Sequence, residues 1–128
     1  MDTNQKTNSR KIAVIIPCFK VKDYVLDVIS GIPDYVTHII CVDDSCPQNS
    51  GKFIEENCKD NRVKTLFNNR NFGVGGATIE GFKEAIKMKS NILVKLDGDG
   101  QMNANQIKQF VDPILNNSAD YTKGNRFT

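Results

Sequence analysis

The stretch Leu96-Asp97-Gly98-Asp99-Gly100-Gln101 sets two carboxylates one glycine apart at the end of the apolar run Ile92 to Leu96. Gly98 and Gly100 leave the backbone free to turn tightly enough for both acids to converge. Converging carboxylates repel unless a cation sits between them. A hard divalent ion, Mg²⁺ or Mn²⁺, suits such a pair because it keeps positions for water and for phosphate oxygens. Asp97 and Asp99 are the candidate ligands, and a solvated Asp-Gly turn is the alternative reading of the same letters. A second acidic pair, Asp43-Asp44, also closes an apolar run. Asp43 can equally cap a loop or helix there. The cluster Gly73-Val74-Gly75-Gly76 offers backbone N–H groups to an anion at a helix start, or simply eases a turn.

These groups need elements to carry them. Ile12-Ala13-Val14-Ile15-Ile16, stopped by Pro17, reads as a strand buried on both faces, the pattern of parallel sheets. Val25, Val28, Ile29 and Ile32 then fit one face of a helix ending near Gly31 to Pro33. His38 to Val42 is a second strand, and Phe53 to about Lys59 or Asp60 a second helix with Glu55 and Glu56 facing water. Val63 to Phe67 is a third strand. From Gly73 to about Met88 a longer helix carries the row Ala77, Gly81, Ala85. Glycine in a helix interior costs about 1 kcal/mol relative to alanine, so close packing against a sheet is the reason to expect for Gly81. The run before Asp97 is the fourth strand. Ile107, Phe110, Val111, Ile114 and Leu115 predict an amphipathic helix interrupted at Pro113, and a further extended piece begins at Asp120 to Lys123.

Strands alternating with helices predict an α/β, Rossmann-like, mostly parallel sheet with helices on both faces. Ligands of such sheets bind outside the carboxyl ends of the strands. Asp43, Asp44, Asp97, Asp99, the Pro17 to Lys20 turn and the Asn68 to Gly76 loop all fall at those ends.

The 128 residues fit one domain, 11–128, behind a polar leader, 1–10. The net charge is +2 and the charges are interspersed, which argues against nucleic-acid binding. The polar start has no apolar core of a signal peptide, and no window reaches the length of a membrane span. Cys18, Cys41, Cys46 and Cys58 show no CxxC spacing, so a reduced, cytoplasmic setting is expected and the cysteines read as structural.

Three enzyme classes can claim Asp97-Gly98-Asp99. A haloacid-dehalogenase-type phosphatase would use Asp97 as nucleophile and Asp99 as acid, but at the end of its first strand. A dinucleotide-binding dehydrogenase needs G-x-G-x-x-G, and here Thr78 stands at the third glycine. The third class is nucleotide-sugar transfer. Ile15-Ile16-Pro17-Cys18-Phe19-Lys20 resembles the first strand and turn of family 2 glycosyltransferases of the GT-A fold, with Lys20 where the family usually has Asn. Val42-Asp43-Asp44-Ser45 resembles their Asp-Asp motif. Asn71-Phe72-Gly73-Val74-Gly75-Gly76-Ala77 resembles their glycine-rich helix start, and Asp97-Gly98-Asp99-Gly100-Gln101 their metal-binding DxD with a following Gln. Lys123-Gly124-Asn125-Arg126-Phe127 is similar to an element of the polyprenyl-phosphate, dolichyl-phosphate-mannosyltransferase-like branch.

Five motifs in family order span residues 12 to 127. The resemblance implies transfer, with inversion, from a nucleotide-diphosphate sugar to a polyprenyl phosphate or saccharide, as in cell-envelope polysaccharide assembly. It implies nucleotide contacts from Pro17, Cys18, Phe19, Asp43, Asp44, Ser45, Arg70, Asn71, Gly75, Asp97 and Gly98, and catalytic roles for Asp97, Asp99 and Arg126. It also covers only the nucleotide-binding half, so the acceptor half and its base are expected to be missing. A non-catalytic sugar-nucleotide-binding fragment stays open, and membrane association, at the cytoplasmic face, would come through segments outside this chain.

Overall fold

The computed structural model describes residues 11–100 and 105–109. Four strands form one parallel sheet, β1 (Ile12–Cys18), β2 (His38–Asp43), β3 (Val63–Phe67) and β4 (Ile92–Lys95), in the order β3-β2-β1-β4. Helices α1 (Val25–Ser30), α2 (Ser50–Asn57) and α3 (Gly73–Lys87) connect them.

The unbroken apolar run of β1 follows from its place in the middle of the sheet. Ile12, Val14, Ile16 and Cys18 pack on one face with Val25, Val28 and Ile29 of α1 and Ile54 of α2. Ala13 and Ile15 pack on the other with Ala77 and Ala85 of α3. Both faces are therefore covered, as expected for a parallel sheet. The small row of α3 is what lets it lie close: a Cβ at Gly81 would come within 2.5 Å of Ile15 Cγ2. Val74 and Ile86, on the neighbouring row, stay exposed.

The bounds of two helices differ from the sequence reading, for local reasons. Helix α2 begins at Ser50 rather than near Phe53, because Asn49 takes a left-handed conformation and Asp43 receives the Gly51 amide. It ends at Asn57, before the expected Lys59 or Asp60, as Cys58 turns extended. Helix α1 stops at Ser30, and Ile32 is buried from the turn that follows. That turn is held by Arg62, whose guanidinium donates to the carbonyls of Pro33, Val36 and Ile32 while pairing with Asp60 at 2.7 Å.

Residues 105–109 are helical, and Ile107 enters the first core. The leader 1–10, the expected helix beyond 109 and the extended piece at 120–123 lie outside the described residues. Among the described residues, no helix is long and apolar enough to cross a membrane.

Candidate functional site

The chain lays β2 and β3 on one side of β1 and then crosses to place β4 on the other. The order reverses between β1 and β4. Open α/β sheets bind ligands at such a switch point, outside the strand carboxyl ends. A cavity of about 300 Å³ lies there, lined by Pro17, Cys18, Phe19 and Val21 after β1, and by Asp97, Gly98 and Asp99 after β4. Asp44 after β2 joins them, with Asn71, Gly73, Val74 and Ala77 from the start of α3.

The adjacent acids Asp43 and Asp44 are both buried, and each serves a different helix. Asp43 accepts the Cys46 amide on Oδ1 and the Gly51 amide on Oδ2, both at 2.7 Å, which ties the loop after β2 to the first turn of α2. Neither helix has a cap from its own N-cap side chain. Asp44 supplies that service to α3, accepting the Phe72 amide on Oδ1 and the Gly73 amide on Oδ2, both at 2.8 Å. The Asn68 side-chain amide adds a third donor on Oδ1 at 2.9 Å. Carboxylates at helix N-termini satisfy amides that have no partner within the helix and oppose the dipole. Asp43 does not line the cavity, so the capping alternative describes its contacts. Asp44 does line it, and a carboxylate has about four acceptor positions, of which three are accounted for.

Cys46, read from sequence as merely structural, joins two walls of the site. Its sulfur accepts the Lys20 amide at 3.0 Å from the loop after β1, and the Gln48 amide at 3.3 Å. The Ser50 hydroxyl lies 3.1 Å away. Burial pushes this thiol up, but the hydrogen bonds from Ser50, Lys20 and Gln48 outweigh it and leave the pKa below its ordinary value. Cys18 goes the other way, raised by its hydrogen bond with Cys41 and by burial. Lys20, Ser45 and Asn49 all adopt left-handed backbone. Such residues carry strain, and here they sit where the two loops are bound together.

Of the other expected contacts, Pro17, Cys18, Phe19, Asn71, Asp97 and Gly98 are at the cavity. Ser45 is exposed beside it, Gly75 faces open space in the first turn of α3, and Arg70 lies over the Phe72 ring at 4.9 Å. Those three are not brought into the cavity wall. Val21, Gly73, Val74 and Ala77 line it without having been expected as contacts, since an apolar residue or a glycine carries no chemical signal of its own.

At the end of β4, Gly100 has a φ of 81° and turns the chain sharply. A Cβ at Gly98 would lie 3.0 Å from Ile16 Cγ2, so this glycine brings the backbone against β1. Asp97 Oδ1 receives the Lys95 ammonium at 2.8 Å. Among the described residues, no group of three or more His, Cys, Asp or Glu side chains could hold a metal ion. Two carboxylates at an open cavity fit a hard cation that takes the rest of its shell from water and phosphate, and do not fit a fully protein-caged one. Gln101 and Arg126 lie outside the described residues, as does the rest of the element at 123–127.

A family model described as Glycosyl transferase family 2 matches residues 13–128. The chain belongs to this family. The N-acetylglucosaminyltransferase of Methanococcus voltae named for UDP-N-acetylglucosamine and dolichyl phosphate is 32% identical over 129 residues, covering 90% of this chain and 51% of the relative. Dolichol-phosphate mannosyltransferase of Pyrococcus furiosus is 28% identical over 121 residues, covering 91% of this chain and 33% of its own. This chain thus spans between a third and a half of the length of these relatives. Among solved structures, glucosyl-3-phosphoglycerate synthase from Mycobacterium tuberculosis, in complex with Mn²⁺, UDP and glucosyl-3-phosphoglycerate, has a TM-score of 0.64 at 16% identity. It covers 88% of this chain and 42% of that one. S. aureus TarS 1–349 in complex with UDP-GlcNAc has a TM-score of 0.62 at 20% identity, covering 80% and 31%. At these identities the likeness is one of fold.

Membership in the glycosyl transferase family removes the phosphatase and dehydrogenase readings of Asp97-Gly98-Asp99. The topology agrees, because the motif follows the fourth strand and not the first. The helix start at Gly73 also answers to Asp44, through its own amide, and not to the tight strand-to-helix turn of a dinucleotide site.

Proposed function

We propose that residues 11–128 are the nucleotide-sugar-binding part of a glycosyltransferase that moves a sugar from a nucleoside diphosphate to a polyprenyl-phosphate acceptor. The observation that carries the reading is the meeting of Asp44, Asp97 and Asp99 in one cavity at the sheet's switch point. Asp44 keeps acceptor capacity toward the cavity and suits a base that presents a ring N–H, as uracil and guanine do. The Phe19 ring is the apolar surface for that base. Amides at the start of α3 that Asp44 does not hold would meet the phosphates. Asp99, with Asp97 and Gln101, would hold Mg²⁺ or Mn²⁺, which when bound neutralises charge on the departing diphosphate. Arg126 would add a second positive charge there.

In the transfer, an acceptor oxygen forms a bond to the anomeric carbon as the bond from that carbon to the diphosphate breaks, with inversion. A hydroxyl acceptor would call for a general base, worth about 10²- to 10⁴-fold in rate. A phosphate monoester, with a second pKa of about 6, is already an anionic nucleophile at neutral pH. A phosphate acceptor therefore does not call for such a base. Relatives named for dolichyl-phosphate substrates support the same choice.

Calorimetric titration of the chain with UDP- and GDP-linked sugars, with and without Mn²⁺, tests the reading. Binding that strengthens with Mn²⁺ and loses that dependence in Asp99→Asn is expected. Binding that ignores both the metal and the substitution would remove the basis for this assignment.

A further inference from the structure

Side chains of β4 alternate between the two cores. Ile92 and Val94 join the first, while Leu93 packs against the second and pairs in register with Ala13. Lys95 pairs with Ile15, so it too stands on the α3 face, beside an apolar register partner. Its side chain is only 21% exposed. The charge is met two residues further on, where Asp97 Oδ1 lies 2.8 Å from Nζ. Residues two apart along an extended chain share a side, and Leu96 between them is buried on the opposite one. The acidic motif that enters the cavity therefore carries its own fixed cation beneath it.

We infer that Lys95 is a positioning residue of the donor site, an internal counter-charge that holds Asp97 and sets how strongly the acidic pair calls for a divalent cation. The inference rests on the donor-binding reading above. Asp97 and Asp99 alone would present two negative charges to a diphosphate that brings more of its own. Lys95 offsets the charge of Asp97. It thereby eases entry of the phosphates and weakens the hold on a metal ion. The two effects have opposite signs, which separates this role from a merely structural one and from a direct phosphate contact.

The experiment uses the whole chain with Lys95→Met and Lys95→Arg, reading Mn²⁺ alone by electron paramagnetic resonance and metal-free UDP and uridine by calorimetry. Loss of one unit charge a few ångström from a divalent ion should tighten Mn²⁺ binding in Lys95→Met about tenfold. Metal-free UDP should weaken severalfold, uridine should bind as before, and Lys95→Arg should match the wild type in all three. Unchanged or weaker Mn²⁺ binding by a Lys95→Met chain that still binds uridine overturns the inference. Weaker UDP with unchanged Mn²⁺ also overturns it, by making Lys95 a phosphate ligand. If Lys95→Met does not fold, Lys95→Gln, which keeps a polar tip, is read by the same signs. A wild-type chain that binds neither UDP nor Mn²⁺ would instead sink the donor-binding reading itself.

Discussion

Asp43 and Asp44 are neighbours with the same chemistry and nearly the same burial, yet the cavity touches only one of them. Their substitutions should separate accordingly. Asn keeps the shape but offers one acceptor oxygen, so at either position an amide loses its carboxylate bond, at a cost of about 1–3 kcal/mol. Urea unfolding should show comparable losses for Asp43→Asn and Asp44→Asn. UDP affinity should not follow stability: about tenfold or more is expected to go in Asp44→Asn, and less than about threefold in Asp43→Asn. Equal affinity losses would mean that the pocket senses only the integrity of the loops. Sequence marked this pair as acids at a strand end and offered a cap as the alternative for Asp43, but not which amides each acid would hold. The division depends on which amides of two distant helix starts come within 3 Å, and helix starts at Ser50 and Gly73 carry no capping side chain of their own to signal it. Cys46 and Lys95 escaped for a related reason, since neither a lone thiol in a loop nor a lysine in a strand announces its partner.

The elements were more legible, because periodicity records burial directly. All four strands lie on their apolar runs, although β1 is not stopped by Pro17 but pairs on through it to Cys18, and β2 runs one residue further, to Asp43; the row Ala77, Gly81, Ala85 is the buried one. Gly81→Ala should therefore destabilise the protein despite a gain of about 1 kcal/mol in helix propensity. The new Cβ would sit 2.5 Å from Ile15 Cγ2 and 3.2 Å from Val42 Cγ2, in the middle of the sheet, and overpacking of this kind costs about 1–3 kcal/mol. A melting temperature equal to or above the wild type's would show that α3 can lift off β1 without penalty. The turn between α1 and β2 gives a pH prediction. Hydrogen bonding to Arg62 holds the Asp60 carboxyl below its ordinary range. A depressed carboxyl stabilises the fold above the unfolded value of about 3.9, and that contribution is lost as pH falls through the folded value. Asp60→Asn should thus melt lower than the wild type at pH 6, with a shallower fall in melting temperature below pH 4. Parallel pH curves for the two proteins would show that the pair stabilises nothing.

At the scale of the molecule, strand order couples the site to the core. Strand β1 lies between β2 and β4, every residue in it is buried, and the loop leaving it forms one wall of the cavity. Strand β3 at the edge is only half-buried. Periodicity could predict a parallel sheet but not this order, because each strand's own residues look alike whether β4 joins beside β1 or beside β3. Native-state hydrogen exchange should read the order out. Amides of β1 should exchange slowest, through global opening, and those of β3 faster, through local opening at the edge. A ligand that binds only the folded chain then acts on the two sets differently. At a hundred times its dissociation constant it adds about 2.7 kcal/mol to global stability, which slows the globally opening β1 amides about a hundredfold. The Phe72 and Gly73 amides, held by Asp44 at the cavity, should slow as well, whereas the outer edge of β3 should change far less. Slowing confined to the α3 start, with β1 untouched by saturating UDP, would mean that the four loops open without the sheet. The switch point between β1 and β4 would then be a place where the ligand rests and not the place that organises its binding.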